Sequence, residues 1–189
     1  MPVTTIDPRP ALVVVDLQKG ILGFPTAHPS DEILARAADL AKAFRGKGHP
    51  VVLVNVAGVA PGRTDVGPRS RGQFPPGFTD IAEELAPHED DLRITKHRWG
   101  AFHGTGLDSR LRDLGVTQVV VCGIATSMGV ESTARAAHEH GYHVLLAADA
   151  MSDKDLDAHE HCVGKIFPRL GEVADSAQIV AMVNGEGRD

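Results

Sequence analysis

Five stretches of the chain are apolar without alternation: ALVVVD (11–16), VVLVNVA (51–57), LRITK (92–96), QVVVCG (118–123) and HVLLAAD (143–149). Runs of this length predict strands buried on both faces, the signature of a parallel sheet. A weaker sixth strand is predicted near EVAD (172–175). Between the runs the pattern turns helical. SDEILARAADLAKAFRGKG opens on the capping residues Ser30 and Asp31 and closes on Gly46 or Gly48. GTGLDSRLRDLG, GVESTARAAHEHG and DKDLDAHEHCVGKIFPRLG follow the same plan. In the third of these four segments Val130, Thr133, Ala134 and Ala137 share an inward stripe, while Glu131 and Arg135 form an outward i,i+4 pair. Strand and helix alternate about six times, which predicts right-handed crossovers and a three-layer α/β/α domain with a six-stranded, mainly parallel, Rossmann-like sheet.

Composition narrows the partners. The 189 residues suffice for one sizeable core, so a single domain over 1–189 is expected. Aromatic residues are only 4%, so the core must be aliphatic. A net charge of −6 without basic clusters gives no electrostatic footprint for nucleic acid and disfavours anionic membrane surfaces, which leaves small molecules. Two cysteines, Cys122 and Cys162, cannot build a disulfide framework in a chain of this size, so a reducing compartment fits. The start, MPVTTIDPRP, has no charged region leading into an apolar one, and no window approaches the ~20 apolar residues of a membrane span. A cytoplasmic location is expected.

Ligands of open α/β sheets bind beyond the carboxyl ends of the strands. Asp16 ends the first predicted strand, Lys96 ends the third, and the turn Gly123–Gly129 follows the fourth. A carboxylate partly shielded from water needs a partner, and an ammonium can be one. A structural ion pair, or two unrelated residues, is the alternative reading. A helix starting near Gly129 would present its first N–H groups to an anion or a developing oxyanion. Phe24, Trp99 and Phe102 could line a pocket or pack at the core rim. The Gly- and Pro-rich stretch 58–78, with Arg63, Arg69 and Arg71, is either a solvated connection or a lid whose arginine, Arg71 first, binds an anionic substrate. His138 and His140 face different ways, and His159 with Cys162 supplies two ligands, short of a metal site.

Asp16 in VVVDLQKG, Lys96 in TKHRWGAFHGTGLDSRLRDLGV, and the segment VVVCGIATSMGVESTARAA together resemble the isochorismatase-like hydrolases of the cysteine hydrolase superfamily, over residues 10–180. The resemblance implies that Asp16 and Lys96 are catalytic and that the Ile124–Ala125 bond is the cis peptide shaping the family's oxyanion turn. It also implies that Gly129 stands where the amidases of the family carry their nucleophilic Cys. Cys122, seven residues earlier within a strand, and Cys162, in a later helix, do not replace that nucleophile, and the motif places no base for Ser127. A Gly here is similar to the isochorismatases proper, in which Asp acts as general acid and water attacks the resulting carbon. The segment LVNVAGVAPG lacks the Gln that those enzymes carry in TAQP, and lacks the Asp-x-His metal motif of nicotinamidases. The resemblance thus implies a cofactor-free, metal-free hydrolase of a small polar molecule, assembled as a homo-oligomer. The alternative is a small-molecule binding or regulatory protein that lost its nucleophile.

Overall fold

The computed structural model describes residues 3–65 and 74–186. Six strands, β1 (Pro10–Val15), β2 (Val51–Val56), β3 (Leu92–Lys96), β4 (Gln118–Ile124), β5 (His143–Ser152) and β6 (Glu172–Ala174), form one sheet in the order β3-β2-β1-β4-β5-β6. Every neighbouring pair is parallel. The central β1 is buried throughout, which is why its sequence does not alternate.

Alternate residues of β1 feed two cores. Leu12 and Val14 pack on the side of Leu40 and Phe44 from α2 (Ser30–Gly46) and Ile179 from α6 (Ser176–Asn184). Val13 and Val15 pack on the side of Leu107 and Leu111 from α3 (Leu107–Asp113) and Ala134 and Ala137 from α4 (Glu131–Glu139). Two short helices complete the set, α1 (Lys19–Leu22) and α5 (Leu156–His161). Among the described residues no helix is long and apolar enough to cross a membrane.

Several element ends differ from expectation. Ser30 is the first helical residue of α2 instead of its cap: Pro29 occupies the capping position, no side chain closes it, and Asp31 and Glu32 sit in the first turn, where the helix dipole favours acids. The segment before α4 winds from Thr126, with a wide turn over Thr126–Val130. The long pattern 153–171 divides into α5, a second wide turn (Cys162–Ile166) and a tight turn (Phe167–Arg169) that begins beside Pro168.

The strand order fixes where a site can form. From β1 the chain moves outward to β2 and β3, then returns to β4 on the opposite side. The crossovers therefore diverge between the carboxyl ends of β1 and β4, opening a crevice there. Gly123 permits the close approach: its φ is +123°, and a Cβ on it would strike the carbonyl oxygen of Val15.

Candidate active site

Asp16 follows the last residue of β1 and adopts a left-handed backbone, φ +54°, uncommon for a residue with a side chain. Its N–H still bonds the carbonyl of Val54 at 2.9 Å, so the strain is held by the sheet itself. Lys96 ends β3, with β2 lying between it and Asp16. Two strand spacings are about 10 Å, a gap that a lysine stem can narrow. Its ammonium donates to Asp16 Oδ2 at 2.7 Å and to the Arg98 carbonyl at 3.2 Å. Both residues are buried, at 6% and 2% exposure.

The pair is incomplete on one side. Asp16 Oδ1 is buried and has no hydrogen-bond partner among the described residues. Burial pushes the Asp16 carboxyl up to about 6, although the Lys96 ammonium pulls it down. A carboxyl with one oxygen fixed and the other unoccupied can hold or release a proton near neutrality.

Asp16 opens on a cavity of about 350 Å³. Phe24, Trp99, Phe74 and Phe78 contribute rings to its wall, with Val56, Ile124 and Met128 beside them. The turn after β4 forms another side through Ala125 and Gly129. The Ile124–Ala125 peptide is cis. Gly129 faces Asp16 directly: a Cβ there would lie 3.2 Å from Asp16 Oδ2 and 3.0 Å from Val15 Cγ1. A side chain at 129 would therefore enter the space of the catalytic candidate. The Thr133 hydroxyl donates to the Gly129 carbonyl at 2.6 Å and accepts from the Ala101 N–H at 3.1 Å, joining the turn to the segment that carries Trp99.

The N–H groups expected to serve an oxyanion are partly committed elsewhere. Those of Met128 and Val130 both bond the Ala125 carbonyl, and that of Ser127 bonds Asp153 Oδ2 at 2.8 Å. The Ser127 hydroxyl bonds the same carboxylate oxygen at 2.8 Å, and Ser127 does not line the cavity. Neither cysteine lines it either. Cys122 is buried in β4 with its thiol pushed up to about 12 by burial. The Cys162 thiol, also raised to about 12 chiefly by burial, donates to Glu131 Oε2 at 3.0 Å.

Of the proposed substrate-binding aromatics, Phe24 and Trp99 line the cavity and Phe102 does not. Phe102 is instead buried against Tyr142 and His140, because its ring fills the core above α3 and α4. Arg71 lies outside the described residues. The described parts of 58–78 do reach the cavity, through Gly58, Val59, Phe74 and Phe78.

Two supporting features escaped the sequence reading. Gln18, fully buried, accepts the Val56 N–H at 2.7 Å and donates to the carbonyls of Val56 at 3.1 Å and Phe78 at 3.0 Å. One amide, two residues after Asp16, thereby ties the end of β2 to the cavity wall at Phe78. Behind the turn, His159 Nδ1 meets the Thr126 hydroxyl at 2.9 Å, and its ring stands edge-on to His28 at 4.7 Å. Burial and the neighbouring His28 lower the His159 pKa. A buried Gln two residues after Asp16 was the available signal for the first; nothing local announces the second.

A larger hollow of about 700 Å³ between α2 and α6 shares no lining residue with this cavity, and its Asp149 is already engaged by Arg36 and Ser176. The strand-end cavity, which holds the Asp16–Lys96 pair, is the candidate site.

Fold and site define an α/β protein with a buried acid–ammonium pair at the switch point of a parallel sheet. The family model described as the isochorismatase domain matches residues 10–178. The chain is 39% identical over 176 residues to YecD, an isochorismatase family protein of Escherichia coli O157:H7, covering 90% of this chain and 94% of that one. The structure of an isochorismatase family protein from Burkholderia thailandensis matches with a TM-score of 0.92 at 40% identity, covering 96% of this chain and 99% of that one. N-carbamoylsarcosine amidase from Thermoplasma acidophilum matches with a TM-score of 0.73 at 27% identity, covering 89% and 96%. The chain belongs to the isochorismatase family of hydrolases.

Proposed function

We propose that the protein hydrolyses a small molecule by Asp16-centred acid–base catalysis with water and without a covalent cysteine intermediate. Asp16 Oδ1 carries this reading: it is buried, unpartnered among the described residues, and part of a carboxyl raised to about 6 on the cavity. In the proposed cycle, written for a vinyl ether, the protonated carboxyl gives its proton to the double-bond carbon, water adds to the oxocarbenium carbon so formed and sheds its proton to Asp16, and the resulting hemiketal breaks its C–O bond, its hydroxyl proton passing to the leaving oxygen as the carbonyl forms. Lys96 fixes Oδ2 and limits how far the pKa rises. Gly129 leaves room beside Asp16 for substrate or water. Gly58, Val59, Phe74 and Phe78 of the 58–78 stretch wall the cavity, and Arg71, outside the described residues, is the candidate contact for an anionic group.

Purified protein is assayed against a panel of vinyl ethers, amides and ureido compounds. Asp16→Asn keeps the shape but loses the transferable proton, so turnover should fall by about 10²–10⁴-fold. Full activity in Asp16→Asn would sink the mechanism. The cavity's lack of a thiol favours a second reading, a binding protein with a relic site. No native turnover on the panel, with amidase activity appearing only in Gly129→Cys beside the Lys96 ammonium, is its signature.

A further inference from the structure

The cavity wall at Phe78 is built around a residue that does not itself line the cavity. Gly20 belongs to α1 and has no positive φ, so its conformation does not call for glycine. Its surroundings do. A Cβ on Gly20 would lie within the Phe78 ring, against Cγ, Cδ2 and Cε2. The ring cannot retreat as a unit, because the Phe78 backbone is pinned. Its carbonyl accepts the Gly20 N–H and the Gln18 amide, both at 3.0 Å, and its N–H bonds the Pro75 carbonyl at 3.1 Å. The following residues stay docked on the same stretch: the Lys19 N–H bonds the Asp80 carbonyl at 2.8 Å, and the Ala82 N–H bonds the Leu17 carbonyl at 3.1 Å. Seated in this way, Phe78 stacks on Phe74, with ring centroids 4.4 Å apart and planes 7° apart. Both half-buried rings line the cavity beside Val56 and Ile124.

We propose that Gly20 and Phe78 act as one specificity-determining couple: the bare Cα at position 20 seats the ring that decides how large an apolar body the substrate site accepts. A body laid on the stacked rings leaves water together with them, and a flat pair held in place offers more contact than a loose one. A methyl at position 20 turns the Phe78 ring off its seat and off Phe74, so the wall loses its fixed face. Residue 20 thus acts on the substrate only through residue 78. The proposal rests on the strand-end cavity being the substrate site, as the hydrolase reading has it.

Acetophenone and butanone are neutral ketones without a hydrolysable bond, and they differ in the size of the apolar body. Both are titrated against the full chain by ligand-observed NMR. The native protein should bind acetophenone about 10-fold more tightly than butanone. Gly20→Ala and Phe78→Ala should each cut that preference by about 5-fold. In the double variant the ring is gone, so Gly20→Ala should add nothing to the effect of Phe78→Ala. Equal binding of the two ketones by the native chain, no binding of either, an unchanged preference in folded Gly20→Ala, or a full further loss in the double variant would each overturn the proposal. If Gly20→Ala does not fold, the double variant must fold and Phe78→Ala must still lose the preference; failure of either sinks the couple. Size selectivity without hydrolysis of any panel compound leaves this proposal standing and removes the catalytic one, whereas Asp16-dependent turnover without size selectivity does the reverse.

Discussion

Among the described residues, Arg45–Asp91 and Lys96–Asp16 are both shielded pairs of a basic and an acidic side chain, and they are built to different standards. In the first, Arg45 meets Asp91 in a fork, Nε to Oδ1 and Nη2 to Oδ2, both at 3.0 Å. The remaining capacity is also used: Arg45 Nη1 donates to the Leu85 carbonyl at 3.1 Å, and Asp91 Oδ2 accepts the His88 N–H at 2.7 Å. In the second, Lys96 touches one oxygen of Asp16 and the other has no hydrogen-bond partner among the described residues. A buried charge that is satisfied all round has nothing to offer a substrate, while an incomplete one retains free energy that a ligand or a proton can recover. Incompleteness, more than burial or charge, separates the candidate catalyst from the girder.

That contrast can be broken by experiment. The largest effect is expected at the incomplete pair, where Asp16→Asn should cost about 10²–10⁴-fold in turnover. Asp91→Ala should act on the other quantity. It strands a largely buried guanidinium and should lower unfolding free energy by about 3 kcal/mol in denaturant melts, with turnover per folded molecule unchanged because neither Arg45 nor Asp91 lines the cavity. A loss of turnover in folded Asp91→Ala would erase the distinction.

A smaller effect concerns pH. The acid form of Asp16 is lost as pH rises through about 6, so the rate of a reaction that uses its proton should fall there. The Lys96 charge lowers that pKa, so Lys96→Met should raise it and carry the falling limb of the profile to higher pH. A limb that moves to lower pH, or stays, would contradict the electrostatic role. The sign for stability is the same: because the folded value lies above the ordinary 3.8, the contribution of Asp16 is fully present below 3.8 and is lost as pH rises through about 6. The smallest effect is none. Thiol alkylation under native conditions should leave turnover unchanged, since Cys122 and Cys162 are both buried with raised pKa values. Inactivation that tracks modification of either thiol would reopen the covalent route.

All six strands were legible in the sequence, β1 and β4 because burial on both faces leaves unbroken apolar runs such as ALVVVD, whereas the edge strand β3 in fact alternates along LRITK, with Ile94 and Lys96 buried and Arg93 and Thr95 exposed. Topology showed only that Asp16 and Lys96 end strands at one rim, since parallel strands deliver their final residues there; their pairing and the place of Gly129 were legible through the family resemblance. What failed was local detail set by tertiary contacts. Ser30 resembles a cap, yet the chain enters α2 through Pro29. The wide turn at Thr126–Val130 depends on Asp153 capturing Ser127 from 26 residues away, and no pattern in TSMGV records it. Phe102 and Trp99 sit three residues apart with similar character, and only packing against Tyr142 decides that one is core and the other cavity wall. The role of Gln18 follows from bonds to residues 38 and 60 positions away.

The ion pair at the heart of the site joins residues 80 positions apart and on strands that are not neighbours. Its members meet only after β1, β2 and β3 have all docked in register, a non-local event whose loop entropy must be overcome before the contact exists. Helices can form and much of the core can collapse while Asp16 still faces water with an ordinary acidity. Proton-transfer competence is therefore a late property of the folding chain, and recovered turnover would report the closing of that three-strand edge more faithfully than any signal from helix content.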